Sequence, residues 1–144
     1  MVIAAILVAV AVSSRPDDVK ARYQAERLRT DLRYAQMLAL TWGVTLRMTT
    51  AAGSYSVACA SGASGPCASS PVVDPATGAA FSVSLESGLT LSPVTTFDLD
   101  SLGRPRSSGG ALLSTDTTFQ VAASGGPTYT VTVRPTTGFA VVTP

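Results

Sequence analysis

Few side chains in this 144-residue chain have the chemistry of a catalytic or ligand site. It contains no histidine, which removes the commonest general base and the serine triad built around it. Asp98 and Asp100 flank Leu99 and would share one face of a strand, as a paired-carboxylate acid–base site requires. A polar face beside a turn explains the same two residues more simply. Arg104 and Arg106 bracket Pro105 and could hold an anion, although solvated turn residues are the plainer reading. Lys20, the only lysine, lies in a charged helical stretch and not in an apolar pocket that would activate its amine. Cys59 and Cys67 stand close together beside glycine and proline, which reads as a disulfide in an oxidising compartment. No Cys/His cluster has zinc spacing, no acidic run has calcium-loop spacing, and no glycine-rich piece has the lysine of a phosphate loop. An enzyme using Asp98/Asp100 or a serine has no positive support, and no cofactor is implied.

The elements around these residues are built for packing. Apolar residues make up 46% and charged ones 13%, about half the charged share of an ordinary soluble domain. Ten basic and nine acidic residues nearly cancel, so no net field favours nucleic acid. Ten of these nineteen charges fall between Arg15 and Arg33. That region predicts a helix over 17–42, free of proline and glycine, with Asp17 and Asp18 at its positive end and Gly43 as its stop. Ala21, Ala25, Leu28, Leu32, Ala35, Ala39 and Trp42 recur at alternating steps of four and three. They form one stripe, widened by Tyr34 and Leu38, that would lie close against a sheet. The charges between them predict a solvated face, with salt bridges between subunits as the sharper alternative.

After Gly43 the period changes to two. Val44, Leu46 and Met48, then Tyr55, Val57 and Cys59, alternate about an Ala-Ala-Gly-Ser hairpin turn. A Gly/Ser/Pro-rich loop over 60–78 follows, and six further strands are predicted at 81–85, 89–91, 96–99, 118–121, 129–133 and 139–142. The expected class is α+β: a long N-terminal helix packed on an antiparallel sheet or a two-sheet head. Two segments result. Residues 1–16 are a hydrophobic N-terminal helix segment, and residues 17–144 are a head made of the amphipathic helix and the β-rich region 43–144.

The first twelve residues, Met1-Val-Ile-Ala-Ala-Ile-Leu-Val-Ala-Val-Ala-Val12, are all apolar. They resemble the latter part of a prepilin N-terminal segment, with Pro16 near the place where such helices carry a proline. Leu28-Arg-Thr-Asp-Leu-Arg-Tyr-Ala-Gln-Met-Leu-Ala-Leu40 is similar to the helix of the GspH/FimT-like minor pilins and pseudopilins. Phe97-Asp-Leu-Asp-Ser-Leu-Gly-Arg-Pro105 and Tyr129-Thr-Val-Thr-Val-Arg-Pro-Thr-Thr-Gly138 resemble that group's late motifs. The helix and opening run lean toward subunits of mannose-sensitive-haemagglutinin-type pili. The group's basic leader, processing glycine and Phe-Thr-Leu-Ile-Glu segment are not present, so the copy reads as truncated or late-started. Restoring about seven residues would bring the apolar run to roughly 19, a membrane-spanning length.

The resemblance implies a structural subunit, not an enzyme, in a type IV pilus or type II secretion pseudopilus. Its implied partners are other pilin or pseudopilin subunits, the inner-membrane assembly platform, and a prepilin peptidase acting on the full-length precursor. Its implied place is the bacterial inner membrane, in a single pass with a periplasmic head, and then a filament. Ile3, Ile6, Leu7 and Val10 are expected to carry helix packing, and Cys59–Cys67 to stabilise the head. The alternative is a secreted β-rich adhesive module whose opening run is a signal peptide cleaved near Ala9-Val-Ala11.

Overall fold

The computed structural model describes residues 16–60, 65–69 and 72–144. Helix α1 spans Pro16–Trp42, with Asp17 and Asp18 in its first turn where the peptide dipole favours negative charge. Gly43 adopts φ 65°, a conformation that costs glycine little, and the Val44 N–H closes the helix end on the Ala39 carbonyl at 3.2 Å. Strands β1 (Leu46–Ala51) and β2 (Ser54–Cys59) then form the predicted hairpin, in register from Leu46 opposite Cys59 to Ala51 opposite Ser54. The loop that follows contains a short helix, α2 (Pro66–Ser69), and a bridge between Val73 and Ala80.

The remaining strands are β3 (Ser82–Ser84), β4 (Leu89–Ser92), β5 (Thr96–Leu99), β6 (Pro105–Ser107), β7 (Thr117–Ala123), β8 (Thr128–Val133) and β9 (Ala140–Thr143). All pairings are antiparallel. They form two sheets, one ordered β3-β2-β1-β5-β6 and the other β4-β7-β8-β9. The fold is thus α+β with two sheets. The strand absent from the sequence reading is β6. It holds three residues, opens on a proline and lies at a sheet edge, where proline is tolerated. Three residues carry too little alternation to distinguish a strand from the turn predicted there.

The helix rests mainly on β7, β8 and β9 and also touches β5. Leu28, Leu32, Ala25, Ala35 and Ala39 are buried in one core with Leu46, Met48 and Leu99 of the first sheet and Val121, Val131 and Val133 of the second. Phe97 and Phe119 meet across the two sheets with ring centroids 5.6 Å apart. The alanines are fully buried, so the helix backbone approaches the strands closely while the leucines fill the remaining volume. A buried leucine of this kind contributes about 2 kcal/mol through removal from water.

Candidate assembly surface

Every residue of the predicted stripe faces the head: Ala21, Ala25, Leu28, Leu32, Ala35 and Ala39 are buried, and Trp42 is half-buried against the core. The opposite side of the helix is mixed, with Glu26, Thr30 and Arg33 set among exposed apolar residues. Val19, Tyr23, Met37 and Leu40 are 51–63% exposed, and Val19 and Met37 lie five helical turns apart on the same line. Ile3, Ile6, Leu7 and Val10, and the segment 1–16 apart from Pro16, lie outside the described residues. Among the described residues no helix is long and apolar enough to cross a membrane.

The helix is pinned by polar contacts that the sequence reading had assigned to a solvated face. Asp31 is buried and accepts a 2.6 Å hydrogen bond from the Tyr55 hydroxyl of β2. Burial raises the Asp31 pKa above its ordinary value; the Tyr55 bond and Arg27 act in the opposite direction, and Asp74 adds to the rise. The Tyr55 hydroxyl is itself pushed far up, by burial first and then by Asp31. Asp18 accepts in the same way from Tyr129 of β8 at 2.5 Å, which raises the Tyr129 pKa. One Asp–Tyr pair therefore ties the helix to each sheet. A solvated face is the wrong description for Asp31, because its turn of the helix lies at the edge of the apolar stripe and under Tyr55. Arg27 reaches both Asp31 (3.7 Å) and the fully buried Asp74 (3.4 Å). These groups and Tyr23, Thr30, Pro75 and Ala76 line an open cleft of about 430 Å³.

A third pin is Gln36. Its amide donates to the Gly103 carbonyl at 2.9 Å and the Thr137 carbonyl at 2.5 Å, joining the β5–β6 and β8–β9 turns to the helix. Gly103 and Gly138 both have positive φ, and a Cβ on either would strike the Gln36 side chain. The signal for this clamp was in the sequence, as a glycine in each of the two late motifs. Its partner on the helix was not marked by any pattern.

Asp98 and Asp100 do not form a shared acid–base site. Asp98 lies in β5 and takes Arg47 of β1 on both oxygens, at 2.8 and 3.0 Å. Asp100 lies past the strand end, where it accepts the backbone N–H groups of Leu102 and Arg104 and the side chains of Arg104 and Arg106. Burial raises the Asp100 pKa, but these donors outweigh it and leave the group below its ordinary value. Arg104 and Arg106 are accordingly counter-ions of a buried carboxylate and not solvated turn residues, and their commitment to Asp100 leaves no open anion site between them. Cys59 and Cys67 are joined, with an S–S distance of 2.05 Å. Closing so short a loop contributes about 2–3 kcal/mol in the chain-entropy model. Lys20 is half-buried on α1. Among the described residues no three Cys, Asp or Glu side chains converge as a metal site would need.

The geometry is that of a long helix with one face sunk in a two-sheet head and the other face bare. A scan of protein-family models matches residues 24–137 to the family described as Type II transport protein GspH. The chain belongs to the GspH family. Two solved structures share the GspH-like fold. One is the minor pseudopilin EpsH from the type 2 secretion system of Vibrio cholerae, 14% identical with a TM-score of 0.61, covering 86% of this chain and 96% of that one. The other is the type IV minor pilin FimU of Pseudomonas aeruginosa, 14% identical with a TM-score of 0.60, covering 88% of this chain and 90% of that one. A search of curated protein sequences gave no significant match.

Proposed function

We propose that the chain is a structural subunit, of the minor pilin or pseudopilin kind, of a type IV pilus or type II secretion pseudopilus. Membership of the GspH family carries the proposal, and the exposed Val19, Tyr23 and Met37 of α1 support assembly by helix packing. Exposed valine, tyrosine and methionine on one side of a helix are buried at a gain when a neighbouring helix covers them. The uncharged run of residues 1–12 precedes that helix in sequence. Ile3, Ile6, Leu7 and Val10 would first sit among lipid chains, in a single inner-membrane pass with the head in the periplasm. In the filament the same residues would face the helices of other subunits. The inner-membrane assembly platform would extract the subunit, after a prepilin peptidase had processed the precursor. The chain itself needs no cofactor and performs no catalysis in this role. The Cys59–Cys67 bond holds the loop of the head in the oxidising periplasm.

Substituting Ile6→Arg places a charge in the apolar run at a cost of about 3 kcal/mol in the membrane centre. The expected result is loss of the chain from both the membrane fraction and sheared filaments, with the head still folded by circular dichroism. An Ile6→Arg chain that enters filaments as well as the parent would refute the proposal.

A further inference from the structure

Residues 72–81 form a tongue beside α1. Its base is fixed: Val72 is buried, the Phe81 N–H donates to the Val72 carbonyl at 3.1 Å, and the Phe81 ring stacks on Tyr34 of the helix with centroids 6.1 Å apart. Its tip is a turn organised by Asp74. The Asp74 carbonyl accepts from the Thr77 and Gly78 N–H groups, and the Asp74 side chain accepts from the Ala76 N–H at 2.8 Å. Residues 75–80 are exposed. Among the described residues, one side-chain hydrogen bond joins this tip to the helix, from Arg27 Nη2 to Asp74 Oδ2 at 3.4 Å. Arg27 thus serves two buried carboxylates and closes on neither, since its Nε stands 3.7 Å from Asp31 Oδ2. Elsewhere in the head Arg47–Asp98 and Arg106–Asp100 close to 2.8 and 2.7 Å, an ordinary length for a charge-assisted bond.

We propose that the tip 74–79 is a flap operated by pH through this shared arginine. When Asp31 takes up a proton, Arg27 is released to Asp74 and the tip closes on the helix. When Asp31 is charged, Arg27 is divided between the two acids and the tip is loosely held. The groups facing Asp31 set this direction. Arg27 on its own helix is the cation, Tyr55 of β2 is a hydrogen-bond donor, and Asp74 of the tongue is a like charge; Tyr23 and Glu26 line the rest of the cleft. Two carboxylates competing for one guanidinium are relieved by a single proton. The 2.6 Å bond from Tyr55 survives the change, because a neutral carboxyl group still has an oxygen that accepts from a hydroxyl. Asp31 therefore stays in place on β2 while Arg27 shifts its partner. Burial raises the Asp31 pKa, so the flap closes at a less acid pH than a solvated aspartate would titrate. The fixed base at Tyr34 and Phe81 confines the movement to the tip, which is the wall of the cleft opposite the helix.

The test uses the full chain, isotope-labelled and held in an uncharged detergent, titrated from neutral pH downward. The carbon shift of the Asp31 carboxyl reports its protonation. Hydrogen-exchange protection of the Thr77 and Gly78 amides, corrected for the intrinsic pH dependence of exchange, reports closure of the tip. Protection should rise by about threefold or more as pH falls, with the same midpoint as the Asp31 shift, above the ordinary 3.8. Asp31→Asn removes the competing charge and should hold protection at the acid level at every pH, without a step. Arg27→Gln, at a half-exposed position, should hold it at the neutral-pH level, again without a step. Protection that is flat or falls while Asp31 titrates in the parent chain would overturn the proposal, as would a step that persists in either variant. None of these outcomes bears on whether the chain enters filaments.

Discussion

Asp31 and Asp100 are both buried carboxylates, and they oppose each other in their dependence on pH. The folded pKa of Asp31 is raised, so its contribution to stability is complete below the ordinary value of 3.8 and is lost as pH rises through the folded pKa. The folded pKa of Asp100 is lowered, so its contribution is present above 3.8 and is lost as pH falls through the folded pKa. Asp31→Asn keeps an acceptor for the Tyr55 hydroxyl and removes the buried charge. It should raise stability at neutral pH by about 1 kcal/mol and change little in acid. Asp100→Asn leaves Arg104 and Arg106 without their shared carboxylate and should cost about 2 kcal/mol at neutral pH, with the deficit shrinking in acid. Urea midpoints of both variants across pH measure the two slopes. Equal slopes would contradict the different surroundings assigned to the two residues. The sequence marked Asp100 through its neighbours but gave no sign of Asp31, because a single acid among helix charges looks the same whether it meets water or a tyrosine 24 residues away.

The buried face and the end of helix α1 were legible from its amino acids, because seven positions at steps of four and three leave little freedom in which face is buried. The longer strands were legible for the equivalent reason at period two. What the pattern could not provide was the division into two sheets, since alternation shows that a strand has an inside face without naming its neighbours. β6 was missed because its three residues hold no period. The two turns clamped by Gln36 belong to this scale, since they fix the helix against both sheets at once. Gly138→Ala forces a Cβ into the Gln36 amide at a positive φ, and should destabilise the head by about 2 kcal/mol, seen as a lower urea midpoint. Combining it with Gln36→Ala removes the side-chain part of the clash and leaves the Gly103 carbonyl against the new Cβ, so the double variant should lose somewhat less than the two single losses added together. Strict additivity would show that the turn and the helix do not bear on each other.

As a whole, the described residues form a head around one main core, with a helix whose outer side is left exposed. Val19 and Met37 are more than half exposed on that side, and the uncharged residues 1–12 precede them in sequence. A secreted module with a cleaved signal peptide would have no use for that run after export, whereas a filament subunit must keep it. The N-terminal sequence of the mature chain, recovered from sheared filaments and from the soluble extracellular fraction, separates the two. The filament account predicts that the chain is found in the sheared fraction with the apolar run still attached. A mature chain beginning near Val12 or Ser13, recovered as a soluble protein, would contradict it.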